Sequence, residues 1–526
     1  MSNNKPKAKT FEFLSLFIMV IGAVIGSGIY MKNNELLQLT HNPIIAIISW
    51  LIVGMVCIMI VYVFIEISSA TTHIGNGTVP TWAKMFINRK TASWFSIVYT
   101  VLYYPICQSL FAGALVAYFF KSINQPLSAN NQLIILLVCG IVFILIFNLL
   151  NMLKPQIGRQ FQIVATVFKF IPLVIALFAG FFLIGPDSSI KNGGFEGNMW
   201  STSDFAPENF IRGFGPVLFA FDGFIYMANL QKRAKFKDVV PKSLLFGLVF
   251  VTIFYVLMAI SLFMGSPDGS IVQLLTKLFA ISGSENANTI ANIVSNIILM
   301  FICLFGINIF SMVAINGLES DVDAKLIYTN NKHVSFVKAG IVHSIFTIFF
   351  FTFIVLMGAL VPRGNWMGIS TNYENWSSSH QQLGVPEYLR FTTNHILAFI
   401  NTISTAISTF GFLMIGIVLI ASIFNRRSNK VEVVKMKGFI PIAIIASMLL
   451  IFFVICGIIT FVLPNNNEKW IDSEGFLFTI ICFCLFIFVF SLFLIQEHFF
   501  KKNGLDGGFE GFISSNQRKE MDYVKE

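Results

Sequence analysis

An all-α integral membrane protein of twelve transmembrane helices is the fold class this sequence predicts, and three observations carry it. Hydrophobic residues make up 56% of the 526-residue chain and charged residues only 12%, against roughly 25% charged in an average soluble domain. The apolar residues gather into twelve runs that approach the about 20 residues a bilayer crossing needs. The basic residues gather between those runs and favour one side.

The same composition excludes other classes. With 59 Phe and 16 Pro, the chain carries too much apolar surface for a solvated coil and too little polar surface for a soluble enzyme. The Cys residues at 57, 107, 139, 303, 456, 482 and 484 lie inside apolar runs without CxxC spacing. They read as small core residues, so no metal site, disulfide or cofactor is expected. A net charge of +9 would point to nucleic acid in a soluble protein. Here it orients the chain in a lipid bilayer, and no nucleic-acid partner is expected.

Taken in order, residues 1–10 form a cytoplasmic tail whose Lys5, Lys7 and Lys9 precede span 1 at 11–31. Spans 2 to 5 follow at 43–65, 92–120, 131–151 and 160–185, then spans 6 to 10 at 208–230, 243–264, 290–316, 337–361 and 395–424. Spans 11 and 12 lie at 438–463 and 475–496, the last without a charge between Glu474 and Glu497. Eleven further spans make a signal-peptide reading of the first unnecessary. Residues 497–526 form a second cytoplasmic tail, and no stretch is long enough for a separate soluble domain. Alternating sides from a cytoplasmic amino terminus places 26 of the 35 Lys and Arg inside, 8 outside and 1 within a helix, as the positive-inside rule demands. Six of the seven Trp lie in loops or near helix ends, and only Trp50 sits deeper. Asn375-Trp-Ser is a formal glycosylation sequon on an outer loop and carries little weight.

Two spans contain residues that a plain lipid-crossing helix would avoid. Span 1 reads Gly22-Ala-Val-Ile25-Gly26-Ser27-Gly28-Ile29-Tyr30, and each interior Gly costs about 1 kcal/mol against Ala. Gly22 and Gly26 alone fit helix packing. Adding Ser27-Gly28 favours an unwound turn, whose freed N–H groups and positive helix end suit a carboxylate. Span 6 repeats the pattern with Gly213-Phe-Gly215-Pro216, then Phe219-Ala220-Phe221-Asp222-Gly223. A mid-membrane carboxylate costs several kcal/mol unless paired, protonated or wet. Asp222 is therefore either a functional group or the acceptor for N–H groups freed by the break, and the two roles are compatible.

Interruptions in spans 1 and 6 head two five-helix sets, 11–185 and 208–424. Because five is odd, the second set enters from the opposite side, an inverted repeat with a site at its interface. Lys169 lies deep in span 5, too deep to snorkel easily. Glu66 sits near the inner end of span 2, where a capping or interfacial role is expected. His343 and His395 read as satisfied core histidines.

Three segments together resemble the amino acid-polyamine-organocation (APC) superfamily of transporters. Gly22 to Tyr30 is similar to its GxxxGSGIF helix 1. Glu66 to Gly77 resembles its AEL and glycine-pair segment, with Asn76 interrupting the pair, and Phe219 to Ser243 resembles its FAFDGF helix 6 and following loop. Lys232-Arg233 stands where relatives carry an acidic pair, Phe236-Lys237 replaces their Asn-Pro, and the loop is one residue shorter before Pro241. The resemblance implies a LeuT-like fold, the two inverted repeats plus helices 438–496, and plasma-membrane transport of an amino acid or related amine by alternating access. By motif, Ser27, Gly28 and Ile29 would offer N–H groups to a substrate carboxylate. The carbonyls of Ile25, Phe219 and Ala220 would receive its ammonium, and Phe219 or Phe221 would close over it. Lys169 matches a lysine that in some proton-coupled relatives stands near the place sodium occupies in sodium-coupled ones, which makes protons the candidate coupling ion.

Other classes are weaker. An intramembrane enzyme needs a HExxH, Gly-x-Ser-x-Gly or paired-Asp constellation, and the sequence has none, so catalysis is not expected. A channel or sensor needs polar pore stripes or a receiver domain. Within transporters, a polyamine or organic-cation exchanger is the alternative, with Asp222 holding a second amine.

Overall fold

The computed structural model describes residues 5–25, 27–71, 77–123, 129–185, 188–190, 207–226, 235–236, 238–281, 286–329, 333–360, 393–462, 470 and 474–503. Gly26, Asn76, Lys232, Arg233, Lys237, the triplet at Asn375 and the tail beyond Asn503 lie outside the described residues, as does the side chain of His395.

The described residues are helical, with no strand among them. In chain order the helices are α1 (Lys5–Val24), α2 (Ser27–Thr40), α3 (Pro43–Ser69), α4 (Val79–Phe86), α5 (Arg89–Ile97) and α6 (Tyr104–Ile123). A π-helical stretch, Val98–Tyr103, joins α5 to α6. Then follow α7 (Ala129–Leu153), α8 (Pro155–Phe182), α9 (Pro207–Phe221), α10 (Val239–Gly265), α11 (Ile271–Ile281), α12 (Ala287–Asp323), α13 (Phe336–Leu360), α14 (Thr393–Ser428), α15 (Phe439–Val462) and α16 (Glu474–Lys502). Among the described residues, ten helices are long and apolar enough to cross a membrane, α5 and α6 counting as one. The two remaining predicted spans are the interrupted ones. Span 1 is split between α1 and α2, and span 6 is α9, which ends at Phe221.

The bundle is apolar outside as well as inside. Phe168, Phe182 and Phe483 are largely exposed, whereas Ser261, Asn308, Gln162 and Thr347 are buried. Lipid solvates the outer faces, so hydrogen bonds and close packing hold the helices together. One buried network shows this. His343 Nε2 lies 2.8 Å from Gln108 Oε1, Gln108 donates to Asn148 at 2.9 Å, and Asn148 donates to Ser344 at 3.0 Å. His343 is thus bonded through one nitrogen, while Nδ1 has no described partner. The cysteines are free thiols, but Cys484 is exposed on α16 instead of packed in the core.

One boundary differs from the sequence reading. Span 1 was expected to end at 31, yet α2 runs to Thr40 and buries Lys32 and Glu35. The two charges lie three residues apart and pair at 2.9 Å, which offsets much of the desolvation that hydropathy counts against them. Asn42 then starts α3, its side chain accepting from the N–H of Ile44 at 2.9 Å and of Ile45 at 3.3 Å. Glu66, near the other end of α3, pairs with Arg426 at 3.0 Å and accepts from the Met436 N–H at 2.6 Å, which ties α3 to other segments and does not cap its own last turn.

Candidate functional site

The last described backbone bond of α1 runs from the Ile25 N–H to the Ile21 carbonyl, at 2.8 Å. At Ser27 a new helix begins, and the first N–H groups of α2 have no partner within it. On the opposing element, α9 ends at Phe221 and Gly223 turns the chain with φ +100°, a conformation that favours glycine.

The two interruptions meet. A Cβ at Gly28 would fall 2.8 Å from the Cα and Cβ of Ala220, and one at Gly223 would fall 3.4 Å from the Ala23 carbonyl oxygen. Only glycine lets α2 approach α9 this closely. The Tyr255 hydroxyl, on α10, lies 2.7 Å from the Val24 carbonyl and 3.2 Å from the Ala220 carbonyl. Its one proton lies within reach of a carbonyl at the end of each interrupted helix, the Val24 contact being the shorter.

Around this crossing the predicted residues divide. Ile25, Gly28, Ile29, Phe219, Ala220 and Phe221 are all buried against it. The backbone of Ser27 lies at the start of α2, its side chain and Gly26 being outside the described residues. Phe221 packs against Tyr255 and Trp50, with ring centroids 5.2 and 6.1 Å away. Of the carbonyls expected to face an ammonium group, Phe219 takes the Asp222 N–H at 3.1 Å, and Ala220 lies 3.2 Å from the Tyr255 hydroxyl that Val24 also shares.

Asp222 is held by protein donors. The Gly223 N–H bonds its Oδ1 at 2.8 Å, and the Ser408 and Tyr103 hydroxyls bond its Oδ2, Ser408 at 2.5 Å. Tyr103 belongs to a cluster with Tyr99, Tyr104 and Tyr226, whose ring centroids are 4.8 to 5.8 Å apart. Three of these rings come from the π-helical stretch and the residue after it, an irregularity often found at functional sites. Composition and hydropathy do not single these tyrosines out. A Tyr-Tyr pair in mid-span was the available signal.

Lys169, on α8, is buried and donates to the Gly22 carbonyl, one turn before α1 breaks. The negative end of the α1 dipole favours a cation there. The Thr166 hydroxyl occupies the space a Cβ at Gly22 would need, so this glycine sets the approach of α8 to α1.

A second buried charge lies on the other side of the interruption. Lys32 Nζ pairs with Glu35, donates to Thr405 on α14 at 3.1 Å and stands 4.9 Å from the centroid of the Phe219 ring. Asn401, also on α14, lies 3.4 Å from Glu35 Oε2. This cluster joins α2, α9 and α14 directly over a predicted closing side chain. Hydropathy alone does not point to it, because Lys32 falls just past the apolar run of span 1.

Comparison with known proteins decides the family. A family model described as amino acid permease matches residues 11–490, nearly the whole chain. The chain belongs to the amino acid permease family. This permease is similar to an uncharacterized protein of Mycoplasma pneumoniae, 25% identical over 496 residues that cover 85% of the chain and 83% of that protein. The Serine/threonine exchanger SteT of Bacillus subtilis is 27% identical over 249 residues, covering 47% of the chain and 53% of SteT. The b(0,+)-type amino acid transporter 1 of Mus musculus is 25% identical over 263 residues, covering 48% and 51%. The match to each of these two transporters thus spans about half of its length.

Proposed function

We propose that this permease moves amino acids across the plasma membrane as a secondary active transporter working by alternating access. The observation that carries the reading is the meeting of two helix interruptions at Gly28 and Ala220. Together they set the N–H groups of one half-helix beside the carbonyl end of another, a pairing of charge that fits an α-amino acid. Twelve spans, arranged as two inverted five-helix repeats plus α15 and α16, with both termini cytoplasmic, is the architecture that goes with it.

Within this scheme Ser27, Gly28 and Ile29 bind the carboxylate through their N–H groups, and the carbonyl at Ile25 receives the ammonium. Phe219 closes over the substrate. Lys169 is the candidate for proton coupling, since loss of its proton would remove the charge that strengthens the bond from α8 to the Gly22 carbonyl at the end of α1. The exchange activity named for SteT makes amino acid counterflow the second transport mode to examine.

The experiment is uptake of labelled amino acids into proteoliposomes, with and without a proton gradient and with and without internal amino acid. Accumulation of a neutral amino acid supports the reading, and its absence under all four conditions refutes it. Asp222→Asn separates the organic-cation alternative. Because three protein donors already occupy that carboxylate, similar losses for serine and lysine are expected. A loss confined to putrescine would favour the cation exchanger.

A further inference from the structure

The connection between α14 and α15 is irregular in conformation, yet its backbone is pinned along its length. Asn425 brackets Val431, donating to its carbonyl at 2.9 Å and accepting from its N–H at 2.7 Å. The Val434 N–H donates to Ser69 Oγ at 2.8 Å and the Met436 N–H to Glu66 at 2.6 Å. Arg426 donates to the Met436 carbonyl at 3.2 Å, and the Tyr62 hydroxyl donates to the Lys437 carbonyl at 2.7 Å. The strap is therefore fastened to α3 and α14 through side chains that are themselves anchored, Glu66 and Arg426 to each other.

What the fastened strap displays is charge. Arg427, Lys430, Lys435 and Lys437 are all exposed, against one exposed carboxylate, Glu432. Large apolar side chains flank them: Phe424 is 64% and Val434 70% exposed. Both α14 and α15 are helices long and apolar enough to cross the bilayer, so the strap between them lies at the height where acyl chains give way to headgroups. A mobile loop would leave its basic residues without fixed positions, whereas this one fixes the backbone that carries Lys435 and Lys437 next to the exposed Val434, with Arg427 one turn beyond Phe424 at the end of α14.

We propose that the α14–α15 strap is a binding site for the headgroup of an anionic phospholipid. Arg427, Lys435 and Lys437 contact the phosphate, and Phe424 and Val434 contact the upper acyl chain. Charge complementarity favours an anionic lipid over a zwitterionic one, since each basic side chain near an anionic surface changes occupancy about five-fold. The proposal does not depend on which solute the permease carries.

The full chain, purified in detergent, is offered equimolar phosphatidylglycerol and phosphatidylcholine, and native mass spectrometry counts the lipids retained. The expected result is preferential retention of phosphatidylglycerol, reduced at least about tenfold in the combined variant Arg427→Gln, Lys435→Gln, Lys437→Gln. The charge-keeping set Arg427→Lys, Lys435→Arg, Lys437→Arg retains the preference, as does neutralising Lys501 and Lys502 at the end of α16. Equal retention of the two lipids by the unmodified chain overturns the proposal, and so does a preference that survives the Gln set. Displacement of phosphatidylglycerol by an equal concentration of soluble glycerol phosphate would also overturn it, by showing that the site reads a free phosphate.

Discussion

Lys32 and Glu35 are buried in the middle of the bundle and answer mainly to each other, to Thr405 and to the Phe219 ring. Removing one member leaves the other charge without its counter-ion in a medium that cannot solvate it, at a cost of about 3–5 kcal/mol. Lys32→Met should therefore lower thermal stability sharply. Lys32→Met with Glu35→Leu should recover most of the loss, as measured by exposure of buried Cys57 and Cys107 to a thiol dye on heating. A double variant no more stable than the single one would mean that Lys32 acts through Thr405 and Phe219 alone. Lys84, on the short helix α4 between two spans, gives a pH-dependent counterpart. Burial, then repulsion from Lys325 and Arg89, pushes its ammonium down to about 8. A depressed lysine is penalised where it is charged, so the folded state should gain stability as pH rises from 8 towards about 10.4, the unfolded value. Lys84→Met should remove that gain. A wild-type curve parallel to that of the variant over this range would contradict the assignment.

Helices rather than side chains were what the sequence made legible. Hydropathy and length located ten continuous crossings because lipid demands an uninterrupted apolar run, and glycine placement located both interruptions because nothing else tolerates them. What stayed hidden was set by partners distant in sequence. Lys32 reads as a loop residue until Glu35 and Thr405 are beside it, and Tyr103 reads as apolar filling until Asp222 accepts its hydrogen bond. The carboxylate of Asp222 shows the converse: the sequence marked the residue, but only the fold showed its oxygens bonded to Gly223, Ser408 and Tyr103. Element boundaries offer two tests. Asn42→Ala removes the acceptor for two N–H groups at the start of α3, at a cost of about 1 kcal/mol in the same thermal assay. Gly28→Ala should abolish uptake because its Cβ meets the Ala220 backbone at 2.8 Å, whereas Gly416→Ala, with its nearest neighbour at 3.6 Å, should be tolerated. Equal uptake by the two variants would remove the α2–α9 crossing from the transport site.

At the scale of the whole molecule, several contacts among the described residues each join connections that alternation would put at the same end. Lys9 pairs with Asp238 at 2.6 Å, Glu66 with Arg426 at 3.0 Å and Arg89 with Glu497 at 2.5 Å. Each of these joins segments assigned to the inner side. Asn33 and Asn34 instead donate to the Gly269 and Asp268 carbonyls, at 3.0 and 2.8 Å, tying together two segments assigned to the outer side. Such pairs fix which connections share an end of the bundle but not which end faces the cytoplasm. That choice rests on charge, with 26 basic residues assigned to one side and 7 to the other once Lys32 is placed within α2, because cytoplasmic loops retain Lys and Arg during insertion. In a background without reactive cysteines, Gln273→Cys on α11 should react with a membrane-impermeant maleimide on intact cells. Ser428→Cys, at the end of α14, should react only after permeabilisation. The reverse pattern would invert the molecule while leaving every contact in place, and would turn the α14–α15 strap towards the outer leaflet.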